Sequence, residues 1–276
     1  MNDFISANLI KLKNNKIPNP EIDLRILLNY SRCTKNEIIL SNFNKNQINI
    51  KKFNSLLKRR ILNEPISKII NKKSFWKDNF YVNKFVLDPR PETEGIIEEA
   101  IKLCKNNKTH FKILDIGTGS GAIAISLARE FENAAIVAID ISEDAIKVAN
   151  KNIKEKNLQK QIKLQKTTFE NIKDNFDLIV SNPPYLTQKE MKKISNEIKH
   201  FEPAIALYGG EDGLDFYREF AIKINKNLIN GGYFIIEIGE SQFDECKEIF
   251  NNSGLKYIKK AQDLKKKDRI MIFSNI

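Results

Sequence analysis

An Asn-Pro-Pro-Tyr run at residues 182–185 carries side chains suited to holding a planar nitrogen group. It follows the apolar run FDLIVS at 176–181, and two prolines cannot continue a strand because they lack the N–H that a sheet requires. Asn182 offers an acceptor and a donor, Pro183 offers a carbonyl, and Tyr185 offers an aromatic face. Two carbonyl oxygens can accept both hydrogens of an amide or aromatic amine while the ring packs over it.

A glycine-rich turn, DIGTGSG at 115–121, follows another apolar run and indicates a ligand site. Its GxGxG spacing differs from the GxGxxG of dinucleotide-binding dehydrogenases, and its glycines let the backbone pass close to a ligand. Asp115 could meet the ammonium of a zwitterionic cofactor. Asp140 ends the next apolar run and can accept both hydroxyls of an unmodified ribose. The turn and Asp140 together predict a nucleoside cofactor. Glycines that only pack a helix against a strand are the less favoured alternative.

Strands that alternate with helices position these residues from Phe111 onward. The runs FKILDIG, AAIVAID, IKLQK, FDLIVSN and GGYFIIEIG predict strands, and GAIAISLAREF and SEDAIKVANKNIKEKN predict helices. Each parallel pair needs a crossover helix, which favours an open, doubly wound α/β sheet with its ligand site beyond the carboxyl ends of the strands. The final runs YIKKAQDL and RIMIFS are too close to be parallel. A mostly parallel sheet with an antiparallel C-terminal hairpin is the architecture of Rossmann-like methyltransferases.

The N-terminal quarter of the chain predicts a separate helical unit. Residues 1–74 read as a small, basic helical bundle, because apolar residues recur there at helical spacing. Residues 75–90 alternate and are aromatic, which predicts a β-hairpin linker with its turn at Asp78-Asn79. Residues 91–276 form the predicted methyltransferase domain.

Charge is unevenly distributed between these parts. Residues 1–75 hold 15 Lys and Arg against 5 Asp and Glu, whereas the net charge of the whole chain is +11. This surplus fits a surface for an acidic partner or nucleic acid. It equally fits a chain that is rich in Lys, Asn and Ile throughout.

Composition excludes several classes of protein. The 276 residues are 41% hydrophobic, enough for a sizeable core, yet contain no apolar run of the length that spans a membrane and no N-terminal secretory pattern. The three cysteines are far apart and there are only two histidines, so we predict no metal site. We expect a reduced, cytoplasmic, monomeric protein.

Longer motifs carry a resemblance to one family. NPPY after a DIGTGSG strand resembles the amino-group methyltransferases, which modify planar nitrogens in adenine, cytosine or glutamine. VLDPRPETEGIIEEA at 86–100, FEPAIALYGGEDGLDFYREF at 201–220 and GGYFIIEIGESQ at 231–242 resemble the HemK/PrmC family, the N5-glutamine methyltransferases of peptide chain release factors. The resemblance covers essentially the whole chain from about residue 59. It departs at Asp88, where the family usually has an apolar residue.

This resemblance implies a reaction and its participants. The methyl donor would be S-adenosyl-L-methionine, the product S-adenosyl-L-homocysteine, and the substrate the GGQ glutamine of class 1 release factors. Because the sulfonium of the donor is an excellent leaving group, alignment and electrostatics would supply most of the catalysis. Asn182, Pro183 and Tyr185 would be catalytic, and together with Pro184 they would hold the glutamine. The implied cofactor-binding residues are Asp115, Gly117, Thr118, Gly119, Ser120, Gly121, Asp140, Asn182 and, as the residue beside the adenine, Phe169.

Other interpretations stay open at this point. The substrate could be a glutamine of a ribosomal protein or, with less support, an adenine in nucleic acid, and a non-catalytic binding module is the remaining class. Glu92 and Glu94 could line the mouth of the site, although acidic residues also suit the start of a helix. Glu237 and Glu240 could lie beside the site or at its solvated rim.

Overall fold

The computed structural model describes residues 3–104 and 111–275, which divide into two compact units. One unit lies within Met1–Asn71 together with Ser195–Phe201, and the other lies within Lys72–Ile194 and Glu202–Ile276. The helices of the described residues are, in chain order, α1 (Asp3–Asn14), α2 (Pro20–Tyr30), α3 (Ile50–Ile61), α4 (Ile66–Ile70), α5 (Glu94–Cys104), α6 (Ala122–Glu130), α7 (Glu143–Glu155), α8 (Gln188–Met191), α9 (Asn196–Phe201), α10 (Asp215–Asn227) and α11 (Phe243–Asn252).

The first unit is helical and contains α1 to α4 and α9. Its core is built from apolar residues spaced three or four apart, such as Leu24, Leu27 and Leu28 on α2, which packs with the matching stripe of α3. The buried guanidinium of Arg60 donates to Asp23 at 2.6 Å and lies 3.4 Å from a carboxylate oxygen of Glu197. This cluster ties α3 to α2 and α9.

Nine strands occur in the described residues of the second unit. They are β1 (Lys73–Phe75), β2 (Asp78–Phe80), β3 (Lys112–Ile116), β4 (Ala135–Asp140), β5 (Ile162–Lys166), β6 (Phe176–Ser181), β7 (Leu228–Glu237), β8 (Lys256–Gln262) and β9 (Asp268–Ser274).

The β1–β2 hairpin turns two residues earlier than we expected. Asp78 pairs with Phe75 and belongs to β2, so the predicted turn at Asp78-Asn79 is wrong, and Trp76 and Lys77 form the turn instead. Trp76 has a φ of 52°, its backbone N–H donates to Glu94 at 2.7 Å, and its indole N–H donates to Glu130 at 2.7 Å. These two distant carboxylates compensate for a conformation that a bulky residue rarely adopts.

The seven remaining strands form one sheet in the order β5-β4-β3-β6-β7-β9-β8. The first five strands in this order, β5, β4, β3, β6 and β7, are parallel. Strand β9 runs antiparallel to both β7 and β8. The predicted mostly parallel sheet with an antiparallel C-terminal hairpin is therefore confirmed. Because strand order reverses between β3 and β6, a crevice for a ligand is expected at their carboxyl ends.

Two apolar layers cover this sheet. Ile113 and Leu178 face one layer with residues of α5 and α6, while Leu114 and Phe234 face the other with residues of α10 and α11. This alternation follows from the two-residue period of a strand. It leaves the ends of the strands, rather than their faces, available to a ligand. Within the described part of the chain, no helix combines the length and apolar character needed to cross a membrane.

Candidate active site

A cavity of about 380 Å³ opens at the carboxyl ends of β3, β4 and β6, within the second unit. Much of its wall is apolar and includes Phe85, Ile205, Phe216 and Phe220. It is the crevice that the strand order predicts. The residues of the predicted site that line it are Gly117, Gly119, Asp140, Phe169, Asn182, Pro183 and Pro184.

The glycine turn leaves space for a ligand at Gly117. This residue has a φ of 73°, which favours glycine, and a Cβ placed there would meet no atom within 4 Å. The backbone N–H groups of Gly117 and Thr118 both donate to the carbonyl of Ile139 at 2.9 Å, which ties the turn to β4. A ligand in the cavity can therefore approach the backbone of a turn that is already fixed.

Asp140 presents a carboxylate at the cavity wall. Its two oxygens accept the N–H groups of Gly119 and Ser142, each at 2.9 Å. Burial raises the pKa of Asp140, although these backbone hydrogen bonds oppose the rise. Each carboxylate oxygen retains a further lone pair, so the residue fits the hydroxyls of a ribose.

Four other residues of the turn lie away from the cavity wall. The fully buried Asp115 accepts the Thr118 hydroxyl at 2.7 Å and the Ala124 N–H at 3.2 Å, and its other oxygen has no partner among the described residues. Burial raises the pKa of Asp115 to about 7. Ser120 is also buried, and a Cβ at Gly121 would lie 3.4 Å from the side chains of α6 and α7. The cofactor-binding roles of Asp115, Thr118, Ser120 and Gly121 stay predictions.

A chain of hydrogen bonds runs inward from Asn182. The Nδ2 atom of Asn182 donates to the Thr93 hydroxyl at 2.9 Å, which in turn lies 2.6 Å from Oε2 of Glu237 and donates to it. The Tyr185 hydroxyl donates to Oε1 of the same carboxylate at 3.2 Å. Sequence reasoning missed Thr93, and its only signal was its place inside the PRPETE motif.

Glu237 is buried beneath this corner, whereas Glu240 lies at the rim. Burial raises the pKa of Glu237 to about 7, while hydrogen bonds from Thr93 and Tyr185 and the positive charge of Arg269 oppose the rise. Glu240 is exposed and pairs with Lys267. Of the two positions that the sequence left open, Glu237 therefore lies beside the site and Glu240 at its solvated rim.

The Asn-Pro-Pro-Tyr corner is held from behind by Gln242. The side-chain amide of Gln242 donates to the carbonyls of Tyr185 at 3.0 Å and Gly213 at 3.1 Å. Gly209 packs so closely that a Cβ there would lie 2.6 Å from the carbonyl oxygen of Pro184. Burial also raises the pKa of the Tyr185 phenol, so it stays neutral. The corner is thus rigid on its protein side, and Asn182, Pro183 and Pro184 line the cavity. Tyr185 is not among the lining residues, and its catalytic and substrate-binding roles stay predictions.

Phe169 forms part of the apolar wall. Its buried ring packs edge-to-face on Phe220, with ring centroids 5.7 Å apart. Packing beside an adenine stays a prediction for this residue. Among residues 3–104 and 111–275, no group of three or more His, Cys, Asp or Glu side chains is placed to hold a metal ion.

Comparison with known proteins first defines a class. The family model described as a methyltransferase domain matches residues 107–273. The fold resembles that of the hMettl16 catalytic domain in complex with MAT2A 3′UTR hairpin 1, with a TM-score of 0.58, 16% identity, and coverage of 98% of this chain and 91% of the other. Fold and matched domain together define a Rossmann-like methyltransferase domain.

Sequence relatives then define the family. The release factor glutamine methyltransferase of Caulobacter vibrioides is 36% identical over 95% of this chain and 92% of its own length. The bifunctional methyltransferase of Rickettsia bellii is 37% identical over 99% of this chain, which spans 54% of that longer protein. The chain thus spans about half the length of the bifunctional relatives that it matches. It belongs to the release factor glutamine methyltransferase family, which confirms the resemblance to HemK/PrmC proteins.

Proposed function

We propose that this chain transfers a methyl group from S-adenosyl-L-methionine to the side-chain amide nitrogen of the glutamine in the GGQ motif of class 1 peptide chain release factors. The observation that carries this proposal is that one cavity is lined both by Asn182 and Pro183 and by Gly117 and Asp140. Family membership over most of the chain supports it.

The residues present fit the methyl donor. Open space beside Gly117 would accommodate the chain of the donor close to the backbone, and Asp140 would accept its ribose hydroxyls. Phe169 would contribute an apolar surface for the adenine. When bound, S-adenosyl-L-methionine would supply a methyl group attached to a cationic sulfur that leaves readily.

Asn182 and Pro183 would act on the substrate amide. An amide nitrogen is a poor nucleophile because its lone pair is delocalised into the carbonyl. Since Nδ2 of Asn182 is engaged by Thr93, its Oδ1 atom is left to accept one N–H of the substrate, and the Pro183 carbonyl would accept the other. Both acceptors stabilise the positive charge that develops on nitrogen during attack. The proton can leave after methylation, so no dedicated base is required.

Methyl transfer to a purified class 1 release factor tests this proposal. Wild-type chain should label the release factor from methyl-labelled donor, and Asn182→Ala should reduce the single-turnover rate by about 100-fold, as loss of a preorganised polar group does. Labelling of a ribosomal protein or of adenine in nucleic acid, with the release factor left unlabelled, would replace the proposed substrate by one of the alternatives.

A further inference from the structure

The Asn182 side chain could present either of two different groups to the cavity. Its amide is nearly symmetric in shape, so packing alone does not distinguish the oxygen atom from the NH2 group. One orientation offers an acceptor to the substrate, and the reverse orientation offers a donor. Only the first suits a substrate nitrogen that itself carries hydrogens.

We propose that Thr93 and Glu237 are positioning residues that fix the direction of the Asn182 amide and thereby make the site select a substrate N–H. This inference rests on the proposed function for the identity of the substrate. The direction of the amide rests only on the contacts among these three side chains.

The chemistry of the three groups sets that direction. When Glu237 is ionised, its carboxylate only accepts hydrogen bonds, so the Thr93 hydroxyl then donates its single hydrogen to Glu237, 2.6 Å away. The Thr93 oxygen can then only accept, and the group of Asn182 that faces it must be NH2, at 2.9 Å. The reverse orientation would place a lone pair of the Asn182 oxygen against a lone pair of the Thr93 oxygen, which is costly.

The surroundings of Glu237 suit this role. Arg269 attracts its negative charge, Glu92 repels it, and Tyr185 donates a second hydrogen bond to it at 3.2 Å. One carboxylate thus orients two side chains of the predicted site. It ends β7, while Thr93 lies in the short turn Pro91–Thr93 that precedes α5. Both residues are at most 4% exposed, so water does not compete for these bonds.

The first test removes the Thr93 hydroxyl without changing the shape of the side chain. Thr93→Val should slow single-turnover methylation of a release factor at saturating donor by about 10-fold or more, because the amide is no longer directed. Donor affinity should stay within about twofold. Thr93→Ser restores the hydroxyl and should recover most of the rate. Ser126→Ala removes a buried hydroxyl that has no partner among the described residues, and it should leave the rate unchanged.

The second variant releases the direction of the Asn182 amide without removing a hydrogen-bonding group. In Glu237→Gln the new amide can either accept from Thr93 or donate to it, so both orientations of Asn182 become allowed and the rate should fall by several-fold. Glu99→Gln is the matched control. Glu99 is also a carboxylate with little exposure, 4%, and it pairs with Lys102 and Lys259. Its replacement should leave turnover unchanged.

A spectroscopic readout separates this inference from the identity of the substrate. In full-length chain labelled with nitrogen-15 asparagine, the Asn182 side-chain NH2 signal, assigned by its loss in Asn182→Ala, should be protected from hydrogen exchange. Thr93→Val should increase its exchange rate about 10-fold or more, because the NH2 group loses the Thr93 hydroxyl, its acceptor among the described residues.

The outcomes are distinguishable. If Thr93→Val is folded and its turnover and Asn182 exchange rate both stay within about twofold of wild type, the inference is overturned; should Thr93→Val not fold, unchanged turnover and exchange in Glu237→Gln overturn it instead. If wild-type chain methylates no release factor while Thr93→Val still increases the exchange rate of the Asn182 NH2 group, the proposed function fails. The positioning role of Thr93 and Glu237 then stands.

Discussion

At the scale of single residues, Asn182 and Glu237 are coupled because both contact the Thr93 hydroxyl, which has only one hydrogen to donate. Asn182→Asp places a second carboxylate against Thr93, whose hydrogen already bonds Glu237. We expect this variant to lose about 100-fold in single-turnover rate. Adding Glu237→Gln should restore part of the rate, because Thr93 can then donate to Asp at position 182 and accept from Gln at position 237. A double-mutant cycle measures this coupling, and purely additive effects would contradict it.

Asp140 is the residue whose loss should act on the donor alone. Asp140→Ala should weaken S-adenosyl-L-methionine binding about 10-fold or more, since hydrogen bonds to a charged acceptor contribute about 1.5–3 kcal/mol each. Calorimetric titration measures the affinity. Asp177→Asn is a suitable control, because Asp177 lies near the opposite end of β6 and caps the backbone of Lys112. Equal donor affinity in Asp140→Ala and wild type would exclude Asp140 from the donor site.

Ionisation of Glu237 should also make activity depend on pH. The carboxylate orients Thr93 only when it has lost its proton, and burial raises its pKa to about 7. The single-turnover rate should therefore rise with pH through about 7, and this limb should be absent in Glu237→Gln. If the rate of Glu237→Gln still rises with pH around the same midpoint, the titration belongs to another group. Asp115 is one such group, because burial also raises its pKa to about 7.

The same ionisation should lower stability as pH rises. The pKa of Glu237 is about 7 in the folded chain against an ordinary value of 4.5, so the folded state binds more protons between these values. Its contribution to stability is complete below about 4.5 and is lost as pH rises through about 7. The free energy of unfolding of Glu237→Gln, relative to that of wild type, should therefore increase by up to about 3 kcal/mol between pH 5 and pH 8. Urea unfolding at both pH values measures this difference, and a constant difference would contradict it.

At the scale of elements, the Asn-Pro-Pro-Tyr corner depends on the segment that packs behind it. In Gly209→Ala the new Cβ would lie 2.6 Å from the Pro184 oxygen and 2.8 Å from the Tyr185 Cα, both backbone atoms that cannot rotate away. We expect the corner to shift and methyl transfer to fall by about 10-fold or more, with a stability loss of about 1–3 kcal/mol.

Gly95→Ala provides the matched control for this change. Its Cβ would meet only the side chain of Ile270, at 3.0 Å, which can adjust. This control should keep its activity. Equal activity of the two variants would show that the corner tolerates displacement.

The elements could be predicted from the sequence to the extent that their signals are local. Strands of the sheet are short apolar runs with helices between them, and the antiparallel end followed from the short connection between the last two runs. The hairpin turn was wrong because Trp76 is held by Glu94 and Glu130, 18 and 54 residues away. Thr93 was missed for the same reason, since it meets Asn182 and Glu237 across 89 and 144 residues.

The cavity residues divide in a similar way. Asp140 ends β4, and Gly117 and Asn182 directly follow β3 and β6, so the strand order brings them to one crevice. Asp115 precedes the same turn, yet its bonds to Thr118 and the start of α6 direct its side chain inward. No spacing rule distinguishes these two outcomes, because both depend on hydrogen bonds that form only in the folded chain.

At the scale of the whole molecule, the basic surplus lies in the helical unit. Lys51 and Lys58 on α3 are exposed, and we propose that such charges help dock the protein substrate without contacting the donor. Lys51→Glu/Lys58→Glu should raise the KM for a release factor several-fold at low salt and reduce its salt dependence, with donor affinity unchanged. Steady-state kinetics at two salt concentrations measures both effects.

A charge reversal in the second unit controls for net charge. Lys154 and Lys160 are also exposed, and Lys154→Glu/Lys160→Glu changes the total charge by the same amount. This control should leave the KM close to that of wild type. An equal rise in KM for both double variants would mean that net charge matters and that the helical unit has no special part.

Tandem mass spectrometry of a class 1 release factor tests the central claim most directly. The release factor is incubated with full-length chain and S-adenosyl-L-methionine, digested, and compared with a sample incubated with Asn182→Ala. We predict one added methyl group, located on the side-chain amide of the glutamine in the GGQ motif, in the wild-type sample and a strongly reduced amount with the variant. An unmodified glutamine, or methylation at any other residue, would contradict the proposed function.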